Sequence, residues 1–192
     1  MSVTKRLDFL SLLRNPFFRF IIVSTGLYIA WYVGYEYYLK PATNFDQVVI
    51  DSLVRLAERT LSVFGYEITD YSVIDGVYRS HVGISGSMGV TIGAPCDGSV
   101  LFALFVSFVI AFPGPWKHKM WFLPLGVILI HLFNVLRVLG LAVIVHINED
   151  WLAFNHDYTF TIIVYAFVFL LWWIWVNKFS GLGLTKSRKH EA

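Results

Sequence analysis

The sequence predicts a mainly α-helical, polytopic membrane protein with four transmembrane helices and a small extracytoplasmic insertion, a helix plus a β-hairpin, between the first two. Three observations predict this fold class: the composition, the length of the apolar stretches and the distribution of basic residues. The 192 residues are 57% hydrophobic and 15% charged, whereas soluble domains are about 45–50% apolar and about 25% charged. This composition excludes a soluble cytosolic enzyme.

Three apolar stretches, residues 20–39, 120–147 and 158–176, are long enough to cross a bilayer core of roughly 30 Å as helices. A fourth stretch, residues 98–112, is shorter, but it is uncharged and ends at Pro113-Gly114-Pro115. We expect it to be a short span that its neighbours shield. The first stretch is too long for the core of a signal peptide and no Ala-x-Ala site follows it, so we expect it to be retained.

The basic residues orient these four spans. They are concentrated before the first span, between the second and third and after the fourth, whereas the other two connections are acidic or lack Lys and Arg. The concentrated residues are Lys5, Arg6, Arg14, Arg19, Lys117, Lys119, Lys178, Lys186, Arg188 and Lys189. Because short loops rich in Lys and Arg stay in the cytoplasm, we expect both termini inside and the acidic connections outside.

The spans divide the chain into five parts. These are a cytoplasmic interfacial segment (1–19), a transmembrane helix (20–39), an extracytoplasmic α/β insertion (40–97), a three-helix transmembrane core expected to be the catalytic core (98–177) and a basic cytoplasmic tail (178–192).

Local patterns divide the insertion further. Apolar residues at near-helical spacing predict an amphipathic helix over 44–64. Alternating residues around Asp75-Gly76 predict a β-hairpin over 71–79. The glycine-interleaved stretch 82–92 predicts a strand or bulged strand.

Cys96 is the single cysteine, so it forms neither an internal disulfide nor a multi-thiolate metal site. It lies in Pro95-Cys96-Asp97-Gly98, directly before the second span and on the predicted outer side. Unpaired N–H groups and the macrodipole at a helix start favour a thiolate, so this place suits a cysteine nucleophile. A buried, inert thiol is equally compatible with the residue taken alone.

Arg137 lies inside the third span, where inserting Arg costs about 2.5–3.5 kcal/mol at the centre. Such residues face the bundle interior or a cavity and are candidates for function. His131, Asn134 and Arg137 are three residues apart and share one stripe of the helix. The structural alternative is an Arg that pairs with a carboxylate and fastens helices together. We interpret His131 as a packing residue.

His156 precedes the fourth span on the same predicted side as Cys96. Histidine can accept a thiol proton and later donate one to a leaving amine, although a lone loop histidine is usually only solvated. The joint placement of Cys96, Arg137 and His156 on the outer side favours a shared site. The sequence has no paired-Cys or His-Glu-x-x-His metal spacing and no Gly-rich phosphate loop, so we expect no metal or cofactor, and the net charge of +2 does not indicate a nucleic-acid partner.

Three features occur in order along the chain: Pro95-Cys96-Asp97-Gly98 at the head of one span, Asn134-Val-Leu-Arg137 in the next span and His156 before the last span. In this combination the sequence resembles the exosortase/archaeosortase family of membrane cysteine transpeptidases, in its short Bacteroidetes form. The resemblance covers residues 89–179. It implies that Cys96 is the nucleophile and that Arg137 and His156 match the family's catalytic Arg and His. Asn134 would support them.

The resemblance also implies an activity and a location. The enzyme would lie in the bacterial cytoplasmic membrane with its site facing the periplasm, and would cleave C-terminal sorting signals of secreted proteins through a Cys thioester. Its partners would be the bilayer and substrates that end in a short motif, a membrane helix and a basic tail. Whether the acyl group then passes to a surface acceptor stays open, as does the oligomeric state.

Two other functions are compatible with the sequence. One is a non-catalytic scaffold or partner of an envelope assembly, in which Arg137 binds a lipid head group or a partner's carboxylate. The other is a lipid- or polysaccharide-modifying transferase that uses the same outer cavity.

Overall fold

The computed structural model describes residues 15–69 and 79–181 and is mainly helical. Three of the described helical runs, Pro16–Ala42, Trp116–Ile147 and Glu149–Phe179, are long and apolar enough to cross a membrane. They contain the predicted first, third and fourth spans. The prediction of a mainly α-helical, multi-pass membrane protein is therefore confirmed, whereas most of the predicted interfacial segment and most of the basic tail lie outside the described residues.

Helix α1, Pro16–Gly34, starts earlier than predicted because Asn15 caps it. The Asn15 side chain accepts a hydrogen bond from the Phe17 amide at 3.0 Å, and Pro at the first helical position needs no amide partner. A π-helical turn, Tyr35–Leu39, then carries the run to Ala42. The helix ends where Thr43 adopts an extended backbone.

Helix α2, Phe45–Val63, occupies the place of the predicted amphipathic helix. Its buried residues recur at helical spacing and form one face of a core cluster: Ile50, Leu53, Val54, Ala57 and Leu61. This face packs against the second half of the long central helix, α4, Trp116–Ile147. The insertion is thus anchored beside the part of α4 that carries Arg137.

The predicted short span forms α3, Ser99–Ala111. Its 13 residues extend about 20 Å, less than a bilayer core of roughly 30 Å. Its last carbonyls are satisfied by Lys119, whose Nζ donates to Ile110 O at 2.7 Å and Phe112 O at 2.8 Å. Lys119, predicted to lie in a connecting turn, is a buried residue of α4 and closes the end of α3.

A second core cluster joins α3 and the first half of α4 to α5, Phe160–Ile174. Phe105, Phe122 and Ile130 are buried at its centre. Two clusters therefore lie along α4, one against α3 and α5 and one against α2 and the sheet. The candidate active site lies where they meet.

The sheet of the insertion differs from the predicted single strand over 82–92. Strand β1, His81–Val82, pairs antiparallel with β2, Val90–Thr91. The chain reverses between them because Gly86 and Gly89 adopt φ values of 86° and 68°, which side chains other than Gly disfavour. The predicted hairpin over 71–79 lies, apart from its last residue, outside the described residues.

After Asn148, whose backbone is extended, the connection between α4 and α5 is helical and is not the predicted loop. It consists of a 3₁₀ turn, Glu149–Trp151, a short α-helical turn, Leu152–Phe154, and a π-helical turn, Asn155–Thr159, that leads into α5. His156 is therefore held in the helical run and is not a solvated loop residue. Gly140 lets α5 approach α4 closely, since a Cβ there would lie 2.5 Å from the ring of Phe160.

Candidate active site

Cys96 ends a 3₁₀ turn, Ala94–Cys96, that leads into α3. Gly98 makes the turn possible because its φ of 93° is left-handed. A Cβ at Gly98 would also lie 3.3 Å from the Asn134 amide nitrogen. The Asn134 side chain therefore packs closely against the Gly98 backbone, two residues after Cys96.

Asp97, not Cys96, caps the start of α3. Its Oδ1 accepts a hydrogen bond from the Ser99 amide at 2.7 Å, and the residue is only 1% exposed. The Cys96 sulfur contacts two side chains from other helical segments, His156 and Arg137. These tertiary contacts place an imidazole and a guanidinium at the sulfur, and the effect of the helix start on the thiolate stays a prediction.

Burial raises the pKa of Asp97 to about 6, and the nearby Asp46 carboxylate adds to the shift, while the hydrogen bonds from Ser99 oppose it. Asp46 in turn accepts a hydrogen bond from the Tyr35 hydroxyl at 2.7 Å. Asp97 Oδ2 is buried and finds no hydrogen-bond partner in the described part of the chain. A buried carboxyl group, Asp97, thus lies directly beside Cys96, and the half-buried Asp46 is near it.

His156 faces the thiol. Its Nε2 lies 3.1 Å from Cys96 Sγ, and its Nδ1 lies 2.9 Å from Asp157 Oδ1. The backbone carbonyl of His156 accepts a hydrogen bond from Thr161 Oγ at 3.0 Å. The imidazole therefore lies between a thiol and a carboxylate, the arrangement that orients a histidine as proton acceptor toward sulfur.

Two residues of α4 complete the surroundings of Cys96. Asn134 is fully buried and donates from Nδ2 to the Cys96 carbonyl at 2.9 Å. Arg137 directs Nη2 toward Sγ at 3.7 Å. His131, on the same stripe, instead contacts Ser52 Oγ at 3.1 Å and packs near Phe102.

Among the described residues, the Arg137 guanidinium has no carboxylate partner. None of the ion pairs within residues 15–69 and 79–181 includes it, and its buried Nε has no hydrogen-bond partner among those residues. A buried, unpaired donor is costly to keep. The geometry does not favour the alternative in which Arg137 fastens helices through a carboxylate.

Cys96, Asn134, Arg137 and His156 line one small cavity together with apolar residues of β2 and α4. The structure thus brings together all four residues singled out in the sequence, from three separate helical segments.

The sequence matches the family model of transmembrane exosortases over residues 10–175. The chain belongs to the transmembrane exosortase family. No curated protein and no solved structure is significantly similar to it. The resemblance found in the sequence is thereby confirmed, and the exosortase match covers all four residues of the cavity. The family is associated with protein sorting.

Sequence reasoning on this exosortase missed two residues of the site. Asp157 was not singled out, although a carboxylate directly after a candidate histidine is a visible signal. Asp97 was named only as part of the motif around Cys96, because its burial depends on packing against other segments.

Proposed function

We propose that this exosortase is a cysteine protease or transpeptidase that cleaves C-terminal sorting signals of secreted proteins at the outer face of the bacterial cytoplasmic membrane. The observation that carries the proposal is the 3.1 Å contact between Cys96 Sγ and His156 Nε2, with the Arg137 guanidinium on the same sulfur. Nucleophile and base within hydrogen-bond reach, with the base oriented by a third group, is the signature of covalent catalysis.

In the first step His156 Nε2 accepts the thiol proton, and Cys96 Sγ attacks the scissile carbonyl carbon. The tetrahedral intermediate collapses as the C–N bond breaks, and the imidazolium donates its proton to the leaving amine. The product is a thioester between the acyl part of the substrate and Cys96. Asp157 keeps Nε2 directed at the sulfur and stabilises the imidazolium.

In the second step water or an amine attacks the thioester carbonyl, with His156 accepting its proton and the Cys96 thiol as leaving group. Arg137 is suited to stabilise the oxyanion of both tetrahedral intermediates, because Nε is an unpaired buried donor next to the reacting sulfur. A preorganised donor of this kind contributes about 10²–10³-fold to the rate. Asn134 holds the Cys96 backbone by its carbonyl.

Helix lengths support an outer location for this site. Along α4, Lys119 and Arg137 are separated by about 27 Å at 1.5 Å per residue, close to one bilayer core. The end with Lys119 also carries Lys117 and Lys178, so the positive-inside rule assigns it to the cytoplasm. In this topology α3 is a short fourth span whose inner end is completed by the Lys119 side chain, and both termini are cytoplasmic.

The test is processing of a co-expressed secreted protein that ends in a short motif, a membrane helix and a basic tail. Cys96→Ala and Cys96→Ser are expected to abolish its cleavage, while Ser62→Ala, on the exposed side of α2, leaves cleavage intact. Undiminished processing by both Cys96 variants would rule out the enzyme and favour a scaffold whose assembly depends on Arg137.

A further inference from the structure

An open groove of about 740 Å³ lies beside the candidate active site. One wall is formed by the hairpin of β1 and β2, and the other by the helical connection between α4 and α5. Val90, Thr91 and His156 line this groove and also line the small cavity that holds Cys96. The groove therefore continues to the thiol.

Strand β2 is the outer strand of its sheet within the described residues. β1 is flanked on its other side, where Ile68 bridges Ile84, and β2 pairs with β1 alone. The amide of Ile92 donates to the carbonyl of Ser80 at 2.8 Å. Beyond β2 no further described strand follows.

The register decides which groups β2 leaves free. Hydrogen-bonded and non-hydrogen-bonded pairs alternate along an antiparallel ladder. Because Ile92 and Ser80 are a bonded pair, the next pair, Thr91 opposite His81, is a non-bonded one. The N–H and C=O of Thr91 therefore point away from β1, toward the free edge. Thr91 itself is exposed.

The charge of the groove restricts its occupant. Three carboxylates line it, from Glu149, Asp150 and Asp157, and the described lining contains no Lys or Arg. An occupant with acidic side chains would be repelled, whereas a neutral or basic one fits. An extended peptide pairs with a free strand edge by main-chain hydrogen bonds and is selected by its side chains.

We infer that this groove binds the acyl-side segment of the substrate in extended form, as an added strand on β2 that hydrogen-bonds to Thr91. The inference rests on the proposed function and assigns it a substrate subsite. The acyl side is the segment in question because the groove lies between connecting segments and not between apolar helices, whereas the leaving side of a sorting signal continues into a membrane helix. This segment stays in the groove while it is bound to Cys96 as a thioester.

The experiment uses two electrophiles on the full-length protein in detergent. One is acetyl-Thr-Val-Thr-Gly chloromethyl ketone and the other is chloroacetamide; each alkylates Cys96 Sγ with loss of chloride. The ratio of their second-order rate constants measures how much the peptide part accelerates alkylation. Changes in the reactivity of the Cys96 thiol affect both rate constants and cancel in the ratio. Each variant is compared by this ratio.

Thr91→Pro removes the N–H at the free edge without removing a ladder hydrogen bond, since proline is tolerated at such a position. Its matched reference is Thr91→Val, which keeps the N–H and loses only the hydroxyl that contacts His81. The ratio for Thr91→Pro is expected to fall about threefold to tenfold below that for Thr91→Val, as for the loss of one hydrogen bond. Equal ratios would overturn the inference.

A second measurement does not depend on how β2 tolerates proline. The same electrophile is made with Lys or with Glu in place of both Thr residues. The Lys form is expected to react about twofold to fivefold faster than the Glu form. The double variant Glu149→Gln with Asp150→Asn should remove this preference for Lys. A preference for the Glu form, or one that survives both substitutions, would overturn the inference.

The two proposals fail differently. If Cys96 reacts with chloroacetamide but the peptide adds nothing, the subsite is wrong and the proposed catalysis stands. If Cys96 reacts with neither electrophile, the thiol is inert, and both the proposed function and this inference are overturned.

Discussion

Nε2 of His156 lies 3.1 Å from the sulfur of Cys96, although the two residues are 60 positions apart and belong to different connections. Cys96 is held by the turn into α3 and His156 by the π-helical turn into α5. Helix α4 lies beside Cys96 and supplies Asn134, which contacts its carbonyl, and Arg137, which faces its sulfur. The geometry of the site therefore depends on the position of these three helical segments relative to one another.

We predict that His156→Ala lowers processing of a sorting-signal substrate by about 10²-fold or more, because the thiol loses its proton acceptor. Alkylation of Cys96 by chloroacetamide should also slow. His118→Ala is the matched control, since His118 contacts Phe179 far from Cys96. Rates for His156→Ala equal to those of the control would contradict the proposed role.

Arg137 is predicted to increase kcat while lowering the stability of the folded protein. Arg137→Met should lower kcat by about 10²–10³-fold through loss of the oxyanion donor. Because the wild-type guanidinium keeps a buried Nε without a partner, the same variant should melt at the same or a higher temperature than wild type in detergent.

Arg137→Lys separates geometry from charge. It keeps the positive charge but has no counterpart of Nε, so we expect it to recover little of the lost kcat. Full activity of the Lys variant would show that charge alone suffices. A large drop in melting temperature for Arg137→Met would favour a structural role.

Asp97 is predicted to make stability pH-dependent. Burial raises the pKa of the Asp97 carboxyl to about 6, so folding favours the protonated form. The stability that this protonated carboxyl contributes is fully present below the unfolded pKa of about 3.9. It is lost as the pH rises through about 6. Asp97→Asn keeps a capping side chain and should therefore be more stable than wild type at pH 8, by on the order of 1–2 kcal/mol.

That advantage should shrink as the pH falls through about 6 and disappear below about 3.9, where Asp97 is protonated in both the folded and the unfolded chain. Melting temperatures of both proteins across this range provide the measurement. A difference between them that does not change with pH would contradict the assignment.

Lys119 is predicted to be essential for the end of α3. Lys119→Met leaves the carbonyls of Ile110 and Phe112 without their donor, and each unsatisfied buried group costs about 1–3 kcal/mol. A marked fall in melting temperature is expected, whereas Lys117→Met, at an exposed position of the same turn, should melt like wild type. Similar melting of the two variants would be the contrary result.

Much of this protein can be read directly from its residues. Long apolar runs show helices that cross a membrane, since no other local structure satisfies the backbone there, and the spacing of apolar residues in 44–64 shows α2. The spacing of Asn134 and Arg137 on one stripe of α4 is likewise local. So is the motif around Cys96, and these residues are enough for the family to be recognised.

Other features depend on contacts between segments distant in sequence. Glycines at 86 and 89 reverse the chain within the expected strand, which becomes two strands. The segment around His156, expected as a loop, is helical, and α5 approaches α4 closely at Gly140. Packing between distant segments also buries Asp97 and brings the Lys119 ammonium to the carbonyls at the end of α3. It places the Arg137 guanidinium next to the Cys96 sulfur. The periodicity and composition of a segment indicate which of its faces contact lipid, water or the protein interior. Which polar groups meet one another follows only from the packing of α3, α4 and α5, because burial and pairing are properties of the assembled helices.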